Sequence, residues 1–298
     1  MSRLIERWNS PARDFTQANV STAHRLHQRP MFEDAALAEL LDAYPRDQLG
    51  VFTMGDDPVA WKSWRRGDAG NLSGAELLAE VKAGRLWLNL RHTNHVAEAY
   101  AELATEIFGE VEADTGRRTF KHDLGLLISS PNAQVFYHLD TPLVMLWQLR
   151  GRKRVWVYPR EEPFVTDAQI EKVVLGESAE QFDYDPAWDT HAKVFDLEPG
   201  VMVSWPQNAP HRVENGPMLN VSLSIEFLTP EALLRANVLY ANGIMRRALG
   251  HKPGPVETRG VAALAKFAMA RGHKLLSPGR LRSAPVPKTF EVRADKAA

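Results

Sequence analysis

Two short stretches of this chain carry residue types that could hold a metal ion. In Tyr137-His138-Leu139-Asp140 a histidine and an aspartate stand two apart, and in Pro210-His211-Arg212 a second histidine follows a proline-rich loop. On an extended strand the side chains at i and i+2 share a face, so His138 and Asp140 can point together into a barrel while Leu139 packs on the other side. His211, arriving from a distant strand, would complete a set of three. Two imidazoles and one carboxylate take one face of an octahedron and leave positions open for a substrate and dioxygen, the donor set of non-haem Fe(II) oxygenases. The chain has no cysteine. That excludes disulfides, thiolate metal sites and cysteine nucleophiles, and leaves histidine and carboxylate as the ligands to expect.

The elements that must position these residues are short and β-rich. Apolar runs at 124–129, 134–139, 143–149, 153–158, 201–205 and 219–227 are separated by clusters of Gly, Pro, Asn and Asp, the pattern of a barrel or sandwich of short strands. Arg150-Gly151-Arg152 reads as a tight turn. In the last run Asn220, Ser222, Ser224 and Glu226 share one face and Leu219, Val221, Leu223, Ile225 and Phe227 the other, and the polar face is expected to line a pocket. Residues 160–192 are acidic and read as an insertion with one short helix near 167–174, a common place for a lid over a substrate.

Before the barrel, residues 1–30 read as an irregular arm. Phe32, Ala36, Leu37, Leu40 and Leu41 have helical spacing up to Pro45, and Ser73 with Glu76 forms a capping box ahead of a helix to about residue 82. The 85–90 run alternates Leu86, Leu88 and Leu90 against Trp87 and Asn89, which predicts a strand. A helix is expected over 95–111, with His92 and His95 as polar caps at its start. Trp61 and Trp64 among Lys62, Arg65 and Arg66 read as a local packing cluster. After the barrel, helices are expected at 231–249 and 256–270, followed by an extended tail from residue 277. The resulting fold class is α+β with a mainly β core: a mixed α/β region at 1–119 wrapping a barrel at 120–230, then C-terminal helices and a basic tail at 231–298.

The 298 residues are 44% hydrophobic, enough for a sizeable core. No apolar run reaches membrane-spanning length and Arg3, Glu6 and Arg7 interrupt any leader, so no membrane is expected and a cytoplasmic location is. The net charge of −1 conceals an asymmetry: from Glu231 onward thirteen Lys/Arg face four Asp/Glu, whereas residues 1–230 carry −10. The basic residues are scattered among apolar ones, so contacts between tail and body are the expected use and nucleic acid is not an expected partner.

The motifs together resemble the JmjC and cupin-like family of Fe(II)- and 2-oxoglutarate-dependent oxygenases, the asparaginyl hydroxylases of regulatory proteins being the nearest type. The likeness spans about residues 120–230. Tyr137-His138-Leu139-Asp140 stands for the family's His-x-Asp, and the stretch from Gln148 through Lys153 to Pro159 resembles its strand–turn–strand with Gly-x-Lys-Arg. Pro199 to Pro206, continuing to His211, resembles its segment ending in the second histidine, with Val201 where an acid is usual. The resemblance implies a double-stranded β-helix, or jelly-roll, barrel.

It also implies roles. His138, Asp140 and His211 are the expected catalytic Fe(II) ligands, 2-oxoglutarate and O₂ the co-substrates, and Lys153 the cation for the far carboxylate of 2-oxoglutarate, with Arg212 as its substitute. The family often places a threonine three residues before the histidine of His-x-Asp, where this chain has Val135. Tyr137 or Ser222 is among the residues expected to supply the missing hydrogen bond. The reaction implied is hydroxylation of a C–H bond in a protein, peptide or small-molecule substrate, and the C-terminal helices could pair two subunits. The alternative is a non-redox, metal-binding cupin acting as a sensor or small-molecule binder, which would need no cation at the co-substrate position.

Overall fold

The structure, a computed structural model, describes residues 3–84, 86–250, 253–254, 256–276 and 286–293. The region before the barrel gives β1 (Ile5–Trp8), β2 (Val20–His24), α1 (Asp34–Ala43), β3 (Gly50–Thr53), β4 (Arg65–Asp68), α2 (Gly74–Ala83), β5 (Leu86–Leu90), α3 (Thr93–Val96) and α4 (Glu98–Thr115). The middle of the chain supplies β6 (Phe120–Ser129), β7 (Gln134–His138), β8 (Leu143–Arg150), β9 (Lys153–Val157), α5 (Asp167–Val174), β10 (Lys193–Leu197), β11 (Val201–Ser204), β12 (His211–Asn215) and β13 (Asn220–Leu228). Then come α6 (Pro230–Leu249), α7 (Gly260–Leu276) and β14 (Lys288–Glu291).

These strands form two sheets, one of ten strands in the order β1-β2-β11-β8-β13-β6-β5-β3-β4-β14 and one of four in the order β10-β9-β12-β7. Period-two patterning decides which face of the large sheet meets what. Leu124, Leu126 and Ile128 of β6, Met145 and Trp147 of β8, and Val221, Leu223, Ile225 and Phe227 of β13 turn to one side, where they join Leu37, Leu77, Leu103 and Ile107 of the helices in one core. Each such aliphatic or aromatic side chain, fully buried, contributes roughly 1.5–3 kcal/mol. The alternate residues face the small sheet. There Val144, Leu146 and Val203 of the large sheet pack on Val155, Val157, Leu197 and Val213 of the small one.

Sequence patterning and structure differ at several places, among them β4 at 65–68 and the second C-terminal helix, which runs over 260–276 where 256–270 was expected. The expected irregular arm contains β1 and β2, and β2 pairs with β11 through Val201↔Ala23 to Ser204↔Val20. The buried alternation of Val20, Thr22 and His24 is the local cause. The expected helix at 95–111 is broken at Ala97 into α3 and α4, and α4 runs on to Thr115, where Gly116 takes a left-handed φ of 64°. Strand β10 carried no clear pattern because only Leu197 in it is buried. The Ser73–Glu76 capping box is present, and a second one, Thr166 with Gln169, starts α5. Of the expected tail, 277–285 lies outside the described residues, while 288–291 forms β14, parallel to β4. Among the described residues no helix is long and apolar enough to cross a membrane.

Candidate metal centre and pocket

The structure brings His138, Asp140 and His211 together. One ligand atom from each lies within 4.8 Å of the others. His138 ends β7, His211 begins β12, and the two are register partners across that strand pair. Asp140 follows two residues after His138, so its carboxylate returns to the same side. His211 Nε2 stands 3.3 Å and His138 Nε2 3.9 Å from the Asp140 oxygens.

Backbone carbonyls set which ring nitrogens point inward. His138 Nδ1 lies 2.7 Å from Phe136 O and His211 Nδ1 3.1 Å from Ala209 O. A carbonyl only accepts, so each Nδ1 carries a proton and each Nε2 is the nitrogen turned toward Asp140. Burial first, and then the neighbouring His211, pushes His138 down to about 4, so the ring is neutral at physiological pH. Burial alone would raise the Asp140 carboxyl, but His211 and His138 hold it below the usual carboxylate range. A neutral His138 beside an ionised Asp140 is the protonation state that a divalent cation needs of these two groups.

The loop before His211 is built to keep this geometry. Asn208 adopts a left-handed φ of 63°, which asparagine tolerates well. Its Nδ2 donates to Asp140 O at 3.0 Å, while Gln207 Nε2 donates to Thr141 O at 2.8 Å. The loop that delivers one ligand thus holds the backbone of another. Neither residue stood out in the sequence, because their partners are more than sixty residues away.

The triad lies in a pocket between the sheets, which Lys153 also lines. Lys153 is 6% exposed and, among the described residues, its ammonium has no acid or hydrogen-bond partner. Burial pushes it down to about 7. The pocket is also walled by Phe52, Trp64 and Trp87, with ring centroids 5.5 Å apart for Phe52–Trp64 and 5.1 Å for Phe52–Trp87. Alternation in β5 already set Trp87 and Asn89 opposite the leucines. Trp64 belongs to this wall and not only to a local cluster, because β3 pairs with both β4 and β5 and carries the region against the pocket.

Carboxylates collect near the metal ligands. Glu226 and Glu180 line the pocket, and Arg91 bridges Glu226 at 2.7 Å and Asp123 at 3.3 Å. Burial pushes Glu226 up to about 7, with Asp140 and Asp123 adding to it, although Arg91 pulls the other way. The segment bearing Glu180 is fastened beside His138: Leu139 N donates to Glu180 O at 3.1 Å and Phe182 N to Tyr137 O at 3.2 Å.

Three residues expected near the co-substrate lie elsewhere. Tyr137 alternates with His138 on β7 and so faces outward, fully buried against Tyr158 and Tyr184, its hydroxyl donating to Phe164 O at 2.9 Å. Arg212 alternates with His211 in the same way. Its guanidinium lies 3.4 Å from the Trp156 ring centre and pairs with Asp189 at 2.5 Å. Ser222 shares the polar face of β13 with Ser224 and Glu226, but its hydroxyl donates to Gln148 Oε1 at 2.7 Å in a buried network with Asn220. Ser224 and Glu226 line the pocket, and Ser222 does not.

Arg212 instead pins the 160–192 insertion to the small sheet. The hydroxyls of Tyr158 and Tyr184 donate to Asp189 Oδ1 at 2.5 and 2.6 Å, and the Arg212 guanidinium donates to Asp189 Oδ2. Burial would raise the Asp189 carboxyl, but Arg212 and these hydroxyls hold it below the usual range. Removing the buried guanidinium strands the part-buried carboxylate and bares the face of Trp156. Arg212→Ala is therefore expected to cost about 2 kcal/mol of stability, read from denaturant unfolding midpoints, while leaving 2-oxoglutarate affinity unchanged.

No protein-family model matches the sequence, and no curated protein matches it. Among solved structures the chain is similar to ycfD of Escherichia coli, with a TM-score of 0.52 and 18% identity over 92% of this chain and 70% of that one. It is likewise similar to a structure of YcfD, described as a ribosomal oxygenase from Escherichia coli in complex with cobalt and 2-oxoglutarate, with a TM-score of 0.50 and 18% identity over 94% of this chain and 70% of that one. At that identity the likeness establishes a common fold: the chain is built on the mixed α/β fold of YcfD.

Proposed function

We propose that this protein is an Fe(II)- and 2-oxoglutarate-dependent oxygenase that hydroxylates a C–H bond in a protein side chain, a peptide or a small molecule. The observation that carries this reading is the presence in one pocket of a His-Asp-His ligand set and a buried lysine without an acid partner. A non-redox cupin would have no use for that lysine, whose burial is costly unless an anion joins it. The order β6-β13-β8-β11 in the large sheet and β7-β12-β9-β10 in the small one supports a double-stranded β-helix. On this reading residues 120–230 are the catalytic barrel, 1–119 its wrapping and 231–298 the helices that follow. The exposed Val261, Leu264, Leu275 and Leu276 of α7 support pairing of two copies through those helices, and a cytoplasmic setting suits the chain.

The residues present fit the metal and co-substrate. His138 and His211 would each give Nε2, and Asp140 one oxygen and the single negative charge of the set. Lys153 would bind the far carboxylate of 2-oxoglutarate by charge-assisted hydrogen bonds, which gain strength beside the apolar Val144, Leu146, Trp205 and Val213 of the pocket lining. Bound Fe(II) would supply activation of dioxygen and the oxidative decarboxylation of 2-oxoglutarate to succinate and CO₂. Trp64 and Trp87 on one side and Glu180 on the other would orient the primary substrate at the mouth. YcfD is described as a ribosomal oxygenase, which makes ribosomal proteins the first substrates to try.

Succinate release from 2-oxoglutarate in air with Fe(II) and ascorbate tests the proposal. The wild type is expected to turn over slowly without its substrate, and His138→Ala to fall at least about 100-fold, to background. Tight metal binding with no binding of 2-oxoglutarate would move the assignment to the non-redox cupin.

A further inference from the structure

Strand β12 carries more than one polar group into the metal pocket. His211, Val213 and Asn215 alternate inward along it, and all three line the pocket. Asn215 is the register partner of Lys153 on β9, as His211 is of Val157. Partners in an antiparallel pair point to the same face, so the Asn215 amide and the Lys153 side chain leave neighbouring strands side by side. Four residues of strand, about 13 Å, separate their level from that of His211.

Asn215 also reaches across to the large sheet. Its Nδ2 donates to Ser129 Oγ at 2.8 Å and to Ser130 O at 2.9 Å. Ser129 lines the same pocket and is 5% exposed, beside 7% for Asn215. Both amide hydrogens of Asn215 are thus spent and one lone pair of Ser129 Oγ is filled, which leaves the Ser129 O–H without an acceptor among the described residues. The N–H bonds of Lys153 are unspent as well. Buried donors in such surplus are costly until an anion supplies acceptors for them. Ser224, the other serine of the lining, is set apart from this corner, since it stands opposite Gly125, four residues back along β6.

We propose that Ser129, oriented by Asn215, is the second residue that binds the far carboxylate of 2-oxoglutarate, donating to one oxygen while Lys153 holds the other. The inference rests on the oxygenase reading. It places the hydroxyl on the large sheet, opposite the lysine of the small one, whereas Val135 on β7 lines the pocket with no donor to give. Ser129 touches the ligand. Asn215 is a positioning residue, because its amide fills a lone pair of the serine and so fixes the direction in which the hydroxyl donates.

Calorimetric titration of the Co(II)-loaded full chain with 2-oxoglutarate under nitrogen tests the inference. Ser129→Ala should weaken binding about tenfold or more, since a hydrogen bond to a charged group is lost. Asn215→Asp should weaken it further, because the new carboxylate takes the serine proton and pairs with the lysine. The probe 2-oxopentanoate keeps the keto acid but ends in a methyl group, and it should bind wild type and Ser129→Ala alike, as should Co(II) itself. A Ser129→Ala protein that binds 2-oxoglutarate as the wild type does, or that loses 2-oxoglutarate and 2-oxopentanoate equally, would overturn the inference and leave the oxygenase reading standing. A wild type that binds Co(II) but not 2-oxoglutarate would overturn both.

Discussion

Lys153→Met is expected to abolish 2-oxoglutarate binding and, at the same time, to make the protein more stable. Lys153 is enclosed without a partner, and burial takes its ammonium from 10.5 down to about 7. The unfolded chain keeps the proton up to about 10.5, so between about 7 and 10.5 it binds more protons than the folded one, and stability rises with pH through that window. Below about 7 the folded lysine is also charged and the cost of burying it is present in full. Methionine fills a similar volume with no charge. The gain should therefore be greatest below about pH 7, on the order of 2–4 kcal/mol, and should fade toward pH 10.5. Unfolding curves at pH 6 and pH 10, set beside calorimetric titration with 2-oxoglutarate, measure both halves. A variant that is less stable at pH 6 would show that Lys153 already has an anionic partner in the free protein. Stability given up at a binding residue is the usual mark of a site shaped for its ligand.

The second large effect belongs to His211. Co(II) or Mn(II) added to the apoprotein should raise its melting temperature, and by more the further the metal concentration exceeds its dissociation constant, because the metal binds the folded site and not the dispersed ligands. His211→Ala is expected to lower metal affinity by more than about 100-fold and to remove the shift, since a two-ligand site keeps neither the geometry nor the chelate. The variant also empties a place between Trp205 and His138, whose ring centres lie 4.4 and 4.1 Å from the His211 ring. It should therefore lose some stability even without metal. His211→Asn keeps most of the volume and separates the two causes. If the melting shift survives in that variant, His211 is not a ligand.

The meeting of His138, Asp140 and His211 was readable because its logic is local. Two residues apart on a strand means the same face, and the proline-rich loop before His211 announced a strand start. The same alternation argued against Tyr137 and Arg212, which neighbour His138 and His211 and so had to face away from them. Reading Arg212 as a stand-in for Lys153 weighed its charge above its parity. Ser222 had the right parity, and its diversion to Gln148 depends on a partner seventy-four residues away. The pocket's aromatic wall was half visible. Trp87 followed from the β5 pattern, whereas Trp64 reaches the wall only through the pairing of β3 with β4 and β5, a tertiary fact that no short window holds. Strands β1 and β10 went unnoticed because each buries little, and an exposed strand writes a faint hydrophobic pattern.

The fastening of residues 180–182 beside β7 has a consequence for how copies of this protein behave toward one another. β7 is the outermost strand of the four-stranded sheet, and a bare sheet edge offers unpaired N–H and C=O groups to any passing strand. Next to a metal ligand such an edge would be doubly hazardous, since intermolecular pairing there would both aggregate the protein and pull His138 out of register. The bridge from His138 to Gln181 occupies that edge from within the same chain. The acidic insertion, which lends Glu180 and Gln181 to the pocket lining, is thus also a guard against self-recognition, and its length near residue 180 is constrained by the strand it shields.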